Sequence, residues 1–201
     1  MNQRTIPSSG EEIPVIGIGT WQTFEGPRAP LVDVLRRFAA AGGRVIDTSP
    51  MYGRAEEVAG ELMSNIPHPF VATKVWTRGR ERGIEQMTRS AELLRVTTID
   101  LMQIHNLLDW RTHLATLRAW KSEGRIRYIG ITHYTTSAFD ELESIMRSET
   151  IDSLGEPGLM SRLFALPKSS TMGVALHAFA CANGVAKRQS IVERAAPPLG
   201  R

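Results

Sequence analysis

Between Val15 and Arg147 the chain alternates, five times in succession, a short β-branched apolar run with a longer stretch of helical spacing. That order restricts the chain to an α/β fold, because parallel strands need crossover helices between them and both sheet faces then become buried. The strands expected from it are Val15–Gly19, Arg44–Asp47, Phe70–Lys74, Ile99–His105 and Ile126–Thr132. Each is nearly all apolar until its last residue or two, as suits strands covered on both faces. The helices expected between them are Pro30–Ala41, Arg54–Ser64, Gly83–Arg95, Trp110–Glu123 and Thr136–Met146, each with an apolar stripe at three-to-four spacing. Ahead of them, Arg4–Pro14 reads as a small hairpin turning at Ser8-Ser9-Gly10.

Five βα units fit either a doubly wound sheet or a (β/α)8 barrel of the TIM type. No G-x-G-x-x-G run opens the first helix. Polar residues instead close four different strands: Asp47, Lys74, His105 and Thr132-His133. In a barrel the chemistry gathers at the carboxyl ends of the strands. The barrel is therefore favoured, and these residues are expected at one mouth.

Other function classes recede on composition. The net charge of +3 is dispersed, without the basic clustering that a nucleic-acid surface needs, so no nucleic-acid partner is expected. No stretch is long and apolar enough to span a bilayer, and Met1–Gly10 lacks the apolar core of a secretory leader, so no membrane partner and a cytoplasmic location are expected. Cys181 is the sole cysteine, which suits a reducing compartment. His68, His113 and His177 have no metal-ligand spacing, and no metal is expected.

The strand-end residues suit reduction of a carbonyl. Hydride must reach the carbon and a proton the oxygen. A tyrosine can donate that proton, but a free phenol is a weak acid at neutral pH. An ammonium beside it favours the phenolate, and a carboxylate paired with the ammonium holds it in place and keeps it charged. A histidine near the carbonyl oxygen can orient the substrate or share the proton. Tyr52, Lys74, Asp47 and His105 supply these four parts if the barrel assembles them.

At these residues the chain resembles the aldo-keto reductases, from Ile13 to about Met146. Asp47-Thr48-Ser49-Pro50-Met51-Tyr52-Gly53, followed by Ala55-Glu56, looks like the family signature after the second strand. Ala72-Thr73-Lys74 resembles its lysine strand and Asp100-Leu101-Met102-Gln103-Ile104-His105 its histidine strand. Gly124-Arg125-Ile126-Arg127-Tyr128-Ile129-Gly130-Ile131 resembles the strand leading to the nicotinamide site. The resemblance implies an NADPH-dependent oxidoreductase of aldehydes or ketones, with NADH left open. It implies Tyr52 as proton donor, Lys74 and Asp47 as its tuning pair, and His105 as the group that orients the carbonyl. It further implies Gly19, Thr20, Trp21, Asp47, Thr132 and His133 as cofactor contacts. Thr132-His133 departs from the family's usual Ser-Asn. Trp21, Met51, Trp76 and Asn106 are the candidate lining of the substrate pocket.

A full barrel needs eight βα units in ~250 residues. The pattern begins a sixth strand at Ile151-Asp152 and then fails. The expectation is thus an incomplete barrel over residues 1–150 and an irregular tail over 151–201, truncated or frameshifted. In the tail, Leu166-Pro167-Lys168-Ser169-Ser170 looks superficially like a late phosphate-binding motif and is read as chance. An open five-strand arc would leave two unpaired edges that invite self-association. The resemblance implies that the missing strands would carry the ring that stacks on the nicotinamide and the pocket for the cofactor's phosphate, so weak cofactor binding is expected. A catalytically silent binding or regulatory protein is the alternative function.

Overall fold

The computed structural model describes residues 1–155, 175–176 and 178–180. Its strands are β1 (Gln3–Thr5), β2 (Glu12–Pro14), β3 (Ile16–Gly19), β4 (Val45–Asp47), β5 (Phe70–Val75), β6 (Ile99–His105), β7 (Ile126–Thr132), β8 (Ser153–Gly155), β9 (Ala175–Leu176) and β10 (Ala178–Ala180). Its α-helices are α1 (Arg28–Ala40), α2 (Ala55–Leu62), α3 (Arg80–Leu94), α4 (Trp110–Ser122) and α5 (Phe139–Ser148). Short 3-10 turns extend α2 and precede α5.

Strands β6 and β7 have the bounds that their apolar runs predict. The helices shift by a few residues for local reasons. Helix α1 starts two residues before Pro30, which the first turn tolerates because its N–H groups have no intrahelical acceptor. Helix α3 starts three residues before Gly83, because its first turn, Arg80-Glu81-Arg82, is exposed and carries no apolar period. Gly83 belongs inside that helix for a packing reason. A Cβ there would lie 2.6 Å from the His113 ring of α4.

Strands β3 to β10 form one parallel sheet in the order β10-β3-β4-β5-β6-β7-β8-β9. The five βα units are present, and the sheet continues past them. A sixth strand does form, two residues beyond the expected start, with Ser153, Leu154 and Gly155 opposite Gly130, Ile131 and Thr132. The edges expected to be open are covered, β7 by β8 and β3 by β10. The barrel is partial, with these short strands lying beyond the two edges that the five-strand reading left unpaired. The outermost strands β9 and β10 are separated in sequence by one residue. Leu176 and Ala178 therefore lie within about 7.6 Å of each other, and the two ends of the sheet curl together. Strands of two or three residues are too short to give a periodic signal of their own, as in β8, β9 and β10. The motif at 166–170 and Cys181 lie outside the described residues.

Alternate residues of the strands serve two cores. Val45, Phe70, Ala72, Leu101 and Tyr128 point one way and pack with Ile6 and Ile13 of the β1–β2 hairpin. Ile46 and Val71 point the other way, onto Leu35, Val58 and Leu62 of α1 and α2. Met102, Ile104, Ile129 and Ile131 likewise meet Leu114, Leu117, Leu142 and Ile145 of α4 and α5. The hairpin plugs the floor of the barrel, at the amino ends of the strands. Polar contacts fasten it there: Glu11 accepts from Arg44 at 3.0 Å, from Arg127, and from the Tyr128 hydroxyl at 2.7 Å. The opposite end, where the strands finish in polar residues, is left to the chemistry. Among the described residues no helix is long and apolar enough to cross a membrane, and no group of three His, Cys, Asp or Glu could hold a metal.

Candidate active site

Sheet register brings the strand-end residues to one level. Gly19 pairs with Asp47, Lys74 with Gln103, and His105 with Thr132. Asp47, Lys74, Gln103 and His105 share the interior parity of Val45, Ala72 and Leu101, so they form the layer above the apolar floor. Tyr52 comes from the loop after β4. Gly53 turns that loop with φ +57, a backbone conformation that any other side chain would strain.

Lys74 is the hub. Its Nζ donates to Asp47 Oδ2 at 2.8 Å and to the Thr48 carbonyl at 2.8 Å, and it lies 5.0 Å from the centre of the Tyr52 ring. Burial alone would pull its ammonium down. The Asp47 carboxylate and the Tyr52 hydroxyl, which is hydrogen-bonded to it, outweigh burial and hold it above the ordinary lysine value. Lys74 is therefore held in its charged form with its side chain buried.

His105 behaves in the opposite way. Burial first, then the charge of Lys74 and the nearby His133, lower it from 6.5 to about 4, so the ring is neutral at physiological pH. Its Nδ1 is buried and makes no hydrogen bond among the described residues. Four rings follow one another across the mouth. Trp21 lies 6.4 Å from Tyr52, Tyr52 is edge-on to His105 at 6.5 Å, and Trp76 is edge-on to His105 at 6.4 Å. Trp21 and Trp76 are 53% and 40% exposed, so they offer apolar surface to a ligand beside the proton-bearing groups.

All four catalytic candidates thus meet. Of the cofactor candidates, Thr20 is buried with its hydroxyl donating to Thr48 Oγ1 at 2.9 Å, and Thr132 is buried at the end of β7. His133 stacks on Tyr134 at 5.6 Å and receives the Thr135 N–H on Nδ1 at 3.2 Å. Met51 is exposed beside Tyr52, and Asn106 follows His105 with φ +54. These two are placed at the mouth by chain position alone.

Two residues at this site had no assigned role in the sequence. Gln103 is buried and donates from Nε2 to Asp47 Oδ1 at 3.0 Å. An amide between the apolar Met102 and Ile104 of β6, on the interior face, was the signal. Glu56 is buried behind Lys74, where it accepts from Thr73 Oγ1 at 2.6 Å and from Ser90 Oγ at 3.1 Å. Burial pushes its carboxyl up, against the pull of those two hydroxyls and of Lys74.

Comparison with known proteins agrees with this geometry. The model of the aldo/keto reductase family matches residues 15–153. An aldo-keto reductase of Mycolicibacterium smegmatis is 32% identical over 147 residues, covering 67% of this chain and 51% of that protein. A 9,11-endoperoxide prostaglandin H2 reductase of Trypanosoma cruzi is 31% identical over 141 residues, covering 65% and 48%. The crystal structure of an aldo/keto reductase from Brucella melitensis is 27% identical with a TM-score of 0.61, covering 81% of this chain and 68% of that one. The chain spans about half the length of the curated relatives it matches. The family model covers more than half of the chain, and the chain belongs to the aldo/keto reductase family.

Proposed function

We propose that this chain reduces an aldehyde or ketone to the alcohol, using NADPH as hydride source and Tyr52 as proton donor. The observation that carries the reading is the buried Asp47–Lys74 pair, 2.8 Å long, set against the ring of an otherwise ordinary tyrosine. A structural role makes no demand for a buried ammonium beside a phenol, whereas proton donation does.

The geometry supports the following roles. Lys74 stabilises the tyrosinate left behind when the Tyr52 hydroxyl gives its proton to the carbonyl oxygen. Asp47 keeps Lys74 charged and fixed, so that charge is in place before the reaction and needs no reorganisation. His105, neutral, offers a ring nitrogen to orient the carbonyl without competing for charge. Trp21 and Trp76 exclude water from the reacting face and hold an apolar substrate body. Tyr52 then recovers a proton from solvent.

The residues present suit the nicotinamide end of a cofactor. Buried hydroxyls at Thr20 and Thr132 and the polar ring of His133 suit its carboxamide, and the exposed Trp21 indole offers a flat face. When bound, a reduced nicotinamide supplies the hydride that reaches the carbonyl carbon. NADPH rather than NADH rests on family likeness. The reading is tested by titrating the chain with NADPH while following tryptophan fluorescence. Saturable quenching is expected, with oxidation of the cofactor when an aldehyde is added. A flat titration counts against the reading.

A further inference from the structure

The mouth contains two buried polar atoms on the same face of β6, Gln103 Oε1 and His105 Nδ1, that have no hydrogen-bond partner among the described residues. Residues two apart on a strand project to the same side, with Cα atoms about 6.6 Å apart. The other end of the Gln103 amide is committed, because its Nε2 donates to Asp47 Oδ1 at 3.0 Å. That contact orients the amide and aims its acceptor oxygen away from Asp47. Buried polar atoms of this kind are normally satisfied by an internal water.

We propose that Gln103 is a positioning residue for both halves of the acid–base site. Its amide nitrogen fixes the carboxylate that holds Lys74, and its amide oxygen reaches His105 Nδ1 through one bridging water. The water's two protons decide the tautomer. Gln103 Oε1 can only accept, so it takes one proton. The second is satisfied only if Nδ1 also accepts, which leaves His105 carrying its own proton on Nε2. The reverse tautomer would strand a water proton in a buried slot. Asp47 Oδ1, Gln103 and His105 thereby become one chain of hydrogen bonds, set before any ligand arrives. The groups facing this chain are Lys74, Tyr52, Trp76 and His133.

The catalytic meaning of this arrangement rests on the proposed reductase reading, but the arrangement itself is read without substrate or cofactor. The test is long-range 1H–15N correlation of the histidine rings in the full chain, with His105 identified by loss of its signals in His105→Gln. The expected result is His105 as the Nε2–H form. In Gln103→Leu the preference falls by roughly threefold to tenfold, the worth of one hydrogen bond. In Gln103→Glu, which keeps an acceptor oxygen facing His105, it is retained. Wild-type His105 as the Nδ1–H form overturns the proposal even if neither variant folds. An unmoved tautomer in a folded Gln103→Leu overturns it too. Absence of reductase activity leaves these signals unchanged and bears only on the catalytic reading.

Discussion

The Lys74 ammonium is held 2.8 Å from the Asp47 carboxylate with side chains only 6% and 10% exposed, so each charge depends on the other for its place in the barrel. Removing one member leaves the other buried and uncompensated. Lys74→Met is expected to cost about 3–5 kcal/mol of folding stability, and Asp47→Leu a similar amount. The double variant is expected to lose clearly less than the sum. Urea unfolding of the wild type, both single variants and the double variant checks this, and additive losses would mean that the pair is not coupled.

His105 ties stability to pH. Its native value of about 4 lies below the ordinary 6.5, so between those values the unfolded chain binds more protons than the folded one. The contribution of neutral His105 is therefore full above pH ~6.5, lost progressively as pH falls toward ~4, and constant below. His105→Gln has no titrating ring, so its unfolding free energy should fall less than that of the wild type across this window. Parallel curves would show that His105 is not held neutral by its surroundings.

Glu56 acts with the opposite sign. Its native carboxyl titrates above the ordinary 4.5, so its favourable contribution is full below that value and is lost as pH rises through the native one. Glu56→Gln keeps a neutral group of the same shape and is expected to be at least as stable as wild type at pH 7, with the difference closing toward pH 4.5. Glu56→Ala strands the Thr73 and Ser90 hydroxyls in a buried place and is expected to cost about 1–3 kcal/mol. Thermal denaturation at the two pH values separates these outcomes.

Gly60 sets how closely α2 approaches α3. A Cβ at that position would stand 2.1 Å from the Leu93 carbonyl oxygen and 3.0 Å from the Leu94 Cα, both backbone atoms that cannot swing aside. Gly60→Ala is therefore expected to destabilise by about 1–3 kcal/mol, although alanine is the better helix former. A rise in melting temperature would show that the two helices separate easily.

Much of this molecule was legible because buried parallel strands announce themselves by predominantly apolar runs that end in polar residues. Ile99–His105 and Ile126–Thr132 are plain for that reason, and Asp47, Lys74 and His105 stand out against them. Tyr52 was legible from its surroundings, Asp47 to Gly53, rather than from periodicity. The roles of Gln103 and Glu56 were not, because a buried hydrogen bond joins residues 56 positions apart in one case and 34 in the other. No local pattern records such a partner. The strands of two or three residues after Gly155 are equally silent, since they owe their pairing to neighbours in the sheet and not to a period of their own.

The central claim is that Tyr52 delivers the proton, and its most direct test is Tyr52→Phe. Phenylalanine keeps the ring between Trp21 and His105 and removes only the hydroxyl. Steady-state oxidation of NADPH with a simple aromatic aldehyde would be followed for both chains. The account predicts turnover by the wild type and a kcat lower by roughly 100-fold or more in Tyr52→Phe, with cofactor binding unchanged. Turnover that survives the substitution, or its absence from the wild-type chain, would contradict it.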